Sequence, residues 1–383
     1  MALLFMDSFD HYATADITEK WTQIHIADRA SSGMNSPVIG AYGRNSSQAI
    51  RLQPNISAAL CTQSLSRPLG MTVVPADNVC IVGLAVKYSD FSNISVRPCG
   101  KICAAEFYTA SEGSNFLVAC RNINDKLWFA RVNTDGTISV LRDDGTTACT
   151  VLGSTSNSIQ AGVWAYVEFK VTIHGSTATI DVRINGTSGL SLTGQNTRGM
   201  GASNTWNNIL VGYATYESTT VSKNIDVDDL VVMDASGSYN NTFIGDVTIS
   251  ILNPNGAGNS TDWTPSAGSN YTCVDEDVVN DDTDYVSSST LNAKDLYAME
   301  DCAAGADIRA VQVVTAMRKG TEGPGKIKHV IRSSSTDYDS AEISLGGTAY
   351  SFNRTIWETD PATAAAWTES GWNAAQVGVK KTG

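Results

Sequence analysis

Charge is scarce in this chain. Only 17% of its 383 residues are Asp, Glu, Lys or Arg, below the usual quarter. Lys and Arg number 26 against 39 Asp and Glu, a formal net charge of −13, and the cations are dispersed. A surface that tracks phosphates needs clustered Lys and Arg, so nucleic acid is not an expected partner. No run of about eighteen apolar residues occurs, so no membrane insertion is expected. Met1-Ala-Leu-Leu-Phe-Met-Asp7 lacks the basic leader and longer apolar region of a secretory signal and reads as a first strand. The four histidines (11, 25, 174 and 329) are scattered, and no Ser sits in Gly-x-Ser-x-Gly. Nothing here has the form of a nucleophile elbow or of a phosphate loop opening a helix.

Eight cysteines stand at 61, 80, 99, 103, 120, 149, 273 and 302. Their irregular spacing in a long chain reads as buried small hydrophobes made in a reducing cytosol, rather than as a disulfide framework. Cys99-Gly-Lys-Ile-Cys103 has a zinc-like spacing but neither a second pair nor a nearby His.

Gly, Ser, Thr and Asn are plentiful instead, which favours short strands and turns over helices. The clearest stretch runs from Gly162 to Gly186. Val163, Val167, Phe169, Val171 and Ile173 share one parity, and Glu168, Lys170 and Thr172 the other. After a bend at His174, Gly175 and Ser176, the residues Ala178, Ile180, Val182 and Ile184 alternate with Thr179, Asp181, Arg183 and Asn185. Side chains on a strand alternate between faces, so this predicts a hairpin buried on one side. Trp164 and Tyr166 sit on the polar parity, either as packing or as a ligand-binding surface. Further strands are expected at 49–52, 80–88, 101–108, 115–121, 126–132, 137–141, 208–213 and 224–234, with Asp135-Gly136 and Asp143-Asp-Gly145 as hairpin turns.

The length suits two domains. Ala235-Ser-Gly-Ser-Tyr-Asn-Asn241 is a polar, glycine-containing boundary. The expected layout is a sandwich over 1–235, a linker over 236–242 and a second β domain over 243–383. The second domain would hold strands at 243–252, 308–317, 326–332 and 375–380, with a helical turn or loop at 362–369. The fold class is all-β, two jelly-roll-like β-sandwich domains in tandem.

Asp7-Ser-Phe-Asp10 with Trp21, Trp164-Ala-Tyr-Val-Glu168 with the strand from Ile180, and Ile225-Asp-Val-Asp-Asp-Leu-Val-Val232 give the first unit its resemblance. It resembles the laminin-G/concanavalin-A-like jelly roll over about residues 1–235. In the second unit the carrying residues are Phe243-Ile-Gly-Asp246, Asn253-Pro-Asn-Gly-Ala-Gly-Asn259 with Trp263, Asp282-Thr-Asp-Tyr-Val-Ser287, and Trp357-Glu-Thr-Asp-Pro361 with Trp367. That unit looks like a domain of tailed-bacteriophage and prophage structural proteins. The resemblance implies a virion component of the tail, an attachment fibre or a head decoration, made in the host bacterial cytoplasm. It implies other virion proteins and further copies of the chain as partners, trimers by analogy with fibres.

Concanavalin-like folds include glycosidases, and retaining members place three acids at alternate positions of one strand. Here those positions hold Asn224, Asp226 and Asp228. An amide in the nucleophile slot cannot form a glycosyl intermediate, so no catalytic residue is assigned and no enzyme is expected. Asp275, Asp277, Asp281, Asp282 and Asp284 form the densest acidic stretch, either a solvated loop or a calcium site; the spacing does not fit an EF-hand. No other cofactor is expected. The function expected is therefore structural, with a glycan-binding adhesin contacting a host surface as the alternative and a glycoside hydrolase behind both.

Overall fold

The computed structural model describes residues 2–21, 23–27, 37–52, 61–68, 75, 77–91, 117–122, 126–144, 149–199, 201, 203–215, 224–320 and 325–383. The chain forms two compact units: Met1–Phe9 with Trp21–Ile249, and Asp10–Lys20 with Ser250–Gly383. The first boundary residues therefore differ from those expected. Residues 236–249 belong with the first unit, and a short excursion near the start belongs with the second, where Tyr12 lies 5.7 Å from the Phe352 ring.

The first unit contains β1 (Leu3–Asp7), β2 (Gln23–Ala27), β3 (Val38–Gly40), β4 (Ala49–Leu52), β5 (Cys61–Pro68), β6 (Val79–Tyr88), β7 (Val118–Arg121) and β8 (Lys126–Val132). It continues with β9 (Thr137–Asp143), β10 (Cys149–Ser158), β11 (Ala165–Thr172), β12 (Ala178–Ile184), β13 (Thr187–Gln195), β14 (Asn208–Thr215) and β15 (Ile225–Met233). One sheet runs β13-β12-β11-β6-β15-β4-β3 with β1 added beside β15, and the other runs β10-β9-β8-β7-β14-β5-β2. Every pairing is antiparallel. This is a two-sheet sandwich, as the alternation predicts. The Cys99–Cys103 spacing and the strand expected over 101–108 lie outside the described residues.

The hairpin from Gly162 to Gly186 forms in the register its pattern dictates. Val167 faces Ile184, Phe169 faces Val182 and Val171 faces Ile180, all buried. Each such side chain contributes about 2 kcal/mol on leaving water. Phe169 meets Trp128 of the opposite sheet with ring centroids 5.8 Å apart. The two-residue turn into β13 is Asn185-Gly186, with φ of 50° and 75°, the pairing that a tight hairpin demands.

The second unit contains β16 (Pro254–Thr261), β17 (Thr264–Pro265), β18 (Val286–Ser287), β19 (Lys294–Met299), β20 (Val311–Met317), β21 (Lys326–Ser333), β22 (Thr336–Asp339), β23 (Ile343–Ser344), β24 (Ser351–Trp357) and β25 (Gln376–Lys381). Its main sheet runs β16-β19-β25-β21-β22 with β23 beside β21, and β20 pairs with β24 as a second layer. Val311, Val313, Ile331, Trp367, Trp372 and Val377 fill the space between. The helix α1 (Glu369–Asn373) follows the stretch where a helical turn or loop is expected, capped by Thr368 Oγ1 accepting from the Gly371 N–H.

His329 on β21 joins the two layers. Its Nε2 lies 2.9 Å from Thr315 Oγ1 on β20, and its Nδ1 lies 2.8 Å from Thr355 Oγ1 on β24. The ring is fully buried, and burial pushes its pKa down to about 4. The neutral ring is therefore favoured in the folded state, while the unfolded chain takes up a proton near pH 6.5. Stability present above pH 6.5 is lost as pH falls through 4. In chemical denaturation at pH 7 and pH 5, His329→Gln should lose less stability across that interval than the parent chain. An identical loss in both would contradict this role.

Candidate functional site

The outer face of the β13-to-β3 sheet gathers Glu168, Asp226 and Asp228 from among the ionisable side chains that the sequence singles out. On β15, alternation sends Val227 inward and Asp226 and Asp228 outward. Asp228 stands opposite Ala85 and Val231 opposite Gly83, so three steps on β15 match two on β6. The extra residue is a β-bulge. Asp229 takes it up with φ of 48°, a region that Asp tolerates better than most side chains, and its carboxylate joins the outer face.

The turn before β4 supplies the counter-charge. Asn45 and Ser46 both have positive φ, which closes the turn with Gly43 N–H donating to Ser47 O and Ser47 N–H donating to Arg44 O. The Arg44 backbone N–H then donates to Asp228 Oδ2 at 2.9 Å, and Ser47 Oγ donates to the same oxygen at 3.1 Å. The Arg44 guanidinium forks between Asp229 Oδ2 at 3.0 Å and Asp246 Oδ1 at 2.7 Å, and also donates to Val247 O. Burial acts against the Arg44 charge, but Asp246, Asp229 and Asp228 outweigh it and its proton is held more tightly than usual.

Residues 242–249 lie across this face. Ile244 N–H and Gly245 N–H both donate to Glu168 Oε1, at 3.0 and 2.9 Å. Ile249 N–H donates to Asp229 Oδ1 at 2.7 Å. Lys170 Nζ donates to Thr242 Oγ1, and the Arg183 guanidinium stacks 4.2 Å from the Phe243 ring centroid. The expected strand over 243–252 is thus no strand. Its backbone N–H groups go to carboxylates instead of to a neighbouring strand, which satisfies them equally well.

The structure separates the two aromatic residues singled out in the sequence. Tyr166 is buried, with its ring 5.8 Å from the Arg44 guanidinium and its hydroxyl 3.5 Å from Asp229 O. A Cβ on Gly83 would fall 2.7 Å from that hydroxyl, so glycine is required for the ring to lie there. Tyr166 is packing. Trp164, just before β11, is half-buried and lies beside a row of directly opposed residues, Lys87, Asp226 and Arg51, across β6, β15 and β4. Asp226 accepts from Arg51 at 2.6 and 3.0 Å and pairs with Lys87 at 3.2 Å. Lys87 Nζ is 4.8 Å from the Trp164 ring centroid, and Arg51 is 3.5 Å from that of Tyr42.

Two carboxyls here have the raised pKa that a general acid needs. Burial raises Glu168, opposed by the Gly245 and Ile244 N–H groups. Burial also raises Asp228, opposed by the Arg44 and Asp229 N–H groups and the Ser47 hydroxyl. Each is 1% exposed, so neither reaches a substrate. Asn224 stands just before β15 and accepts from Ser89 N–H through its backbone carbonyl.

The acidic stretch of the second unit does not assemble a cation site. Asp277 accepts from Asn253, Asp284 from Asn280, and Asp282 from Arg318 and the Tyr350 hydroxyl. Among the described residues no three His, Cys, Asp or Glu side chains converge as a metal would require. Asp275 and Asp281 are not drawn into such a group.

Removing the Arg44 fork leaves Asp229, 2% exposed, without its cation. Arg44→Met should therefore cost about 3 kcal/mol in urea unfolding, with Arg44→Lys intermediate. Unchanged stability in Arg44→Met would show that the clamp holds nothing.

No protein-family model matches the sequence, and no curated protein matches it. Among solved structures the chain is similar to the alginate lyase Aly36B, at 14% identity over 60% of this chain and 93% of that one, with a TM-score of 0.37. It is similar to the alginate lyase vAL-1 from Chlorella virus, at 8% identity over 59% and 99%, with a TM-score of 0.37. It is also similar to an endo-1,3-β-glucanase from Streptomyces sioyaensis, at 10% identity over 60% and 95%, with a TM-score of 0.35. No functional residue is carried across from any of them.

Proposed function

We propose that this chain is a non-catalytic structural component of a tailed-phage virion that works by self-association and by docking to other particle proteins. The observation that carries the non-catalytic part is the closed outer face of the first sheet. Asp226 is neutralised by Arg51 and Lys87, Asp228 and Asp229 are engaged by the Arg44 turn, and Glu168 is engaged by the 242–249 segment. A glycosidase needs one free nucleophile or base and one free acid beside a sugar, and these four carboxylates are engaged within the protein. The virion role is supported by the sequence resemblance of the second unit.

A second reading, a glycan-binding adhesin, is favoured by the rim of the same face. Trp164 and Tyr42 are half-buried, and the two cations beside them outnumber Asp226. A flat ring next to a cation suits the apolar face and the acid group of a charged sugar.

One panel of neutral and acidic polysaccharides tests both readings. The purified chain should release neither reducing ends nor unsaturated products. Turnover that disappears in Asp228→Asn would overturn the non-catalytic reading. Binding on the same panel that is lost in Trp164→Ala would favour the adhesin, and no binding at high protein concentration would sink it. Mass spectrometry and imaging of intact particles should find the chain in the virion; its absence there would overturn the structural role.

A further inference from the structure

We propose that Cys80 and Cys120 are a folding-time redox pair: they close an inter-sheet disulfide when the chain folds in an oxidising medium, and are sealed as thiols when it folds in a reducing one. Strand order brings them together. β6 is the fourth strand along its sheet's path and β7 the fourth along the other, and their neighbours β11 and β8 meet across the core through Phe169 and Trp128. Cys80 stands opposite Val171, two residues along β6 from Val82, which stands opposite Phe169. Cys80 therefore shares the inward face. Cys120 stands opposite Trp128 and shares that residue's inward face. Cys120 is the neighbouring group whose thiol adds to burial in raising the Cys80 pKa, and the two side chains are 0% and 1% exposed.

The same burial fixes when the bond can form. Thiol–disulfide exchange needs a thiolate. Burial holds the Cys80 thiol well above its ordinary range, and in the folded chain neither side chain is exposed to an oxidant. Before the sheets close, both are accessible. With a small disulfide such as oxidised glutathione as oxidant, one cysteine thiolate attacks it and releases one glutathione thiolate. The second cysteine thiolate then attacks the mixed disulfide and releases the other. The two cysteine protons pass to the two leaving thiolates, one S–S bond forms in the protein, and the oxidant's S–S bond is reduced. Once made, the bond lies in the centre of the core, where a reductant cannot reach it.

The full chain, denatured and reduced, is refolded in a buffer rich in oxidised glutathione, alkylated and mapped by peptide mass spectrometry. In parallel, chain folded under reducing conditions is placed in the same buffer without denaturant. The refolded sample should yield the Cys80–Cys120 cross-linked peptide, and its Tm should rise by about 5–10 °C over the reduced form. The natively incubated sample should keep both thiols. Folded protein from oxidative refolding with both cysteines alkylatable on denaturation would overturn the pairing. Cross-linking without unfolding would overturn the sealing. Cys80→Ala/Cys120→Ala should abolish the Tm difference between oxidised and reduced samples; should that variant not fold, the peptide map of the parent chain decides alone.

Discussion

Carboxylates on the outer face of a sheet can lose their water only if other donors replace it, and the first unit is arranged around that requirement. Asp226, Asp228, Asp229 and Glu168 are all at most 2% exposed, although three of them sit where a strand of a simple one-sided sandwich would be wet. Their donors come from three places: cations on adjacent strands, the N–H groups of a tight turn, and the N–H groups of residues 244, 245 and 249. Arg44 links two of these, since its backbone serves Asp228 while its side chain reaches Asp229 and Asp246. The chain after β15 is thereby held to the sandwich it has just completed.

This arrangement gives the raised pKa values here a structural cause. Perturbed carboxyls are common in active sites, and Glu168 and Asp228 qualify by direction. Desolvation is the leading cause in both, and what desolvates them is the protein itself. In a catalytic cleft the same carboxyls would keep an oxygen free toward a substrate. Here residues 244 and 245 take Oε1 of Glu168 while its Oε2 is buried without a hydrogen-bond partner, and the Arg44 turn takes Oδ2 of Asp228.

The parts of the fold that depend on alternation were legible in the sequence. The hairpin over 162–186 and the run from 126 to 141 with its Asp135-Gly136 turn follow from apolar patterning and turn chemistry, and the buried strand expected at 80–88 follows from its nearly continuous apolar character. The site was only partly legible. Asp226 and Asp228 were identifiable by their spacing. Arg44 left no signal, because a lone Arg between Gly43 and Asn45 looks like any polar loop. Residues 243–252 misled because Phe243, Ile244, Val247 and Ile249 suggest a strand, whereas the N–H groups of Ile244, Gly245 and Ile249 go to side chains 76, 77 and 20 residues away in sequence. Tyr166 looked anomalous on a polar parity because nothing in the sequence reveals that this face is covered. His329 gave no hint of its place between two layers, since its threonine partners are 14 and 26 residues away.

The closure of the outer face by residues 242–249 is the central claim, and amide hydrogen exchange reads it most directly. The N–H groups of Ile244, Gly245 and Ile249 belong to no helix or strand, so without their carboxylate acceptors they would exchange as fast as an open loop. The account predicts that all three are protected in the native chain, and that Glu168→Gln selectively accelerates Ile244 and Gly245. Fast exchange at all three positions in the native protein would contradict it.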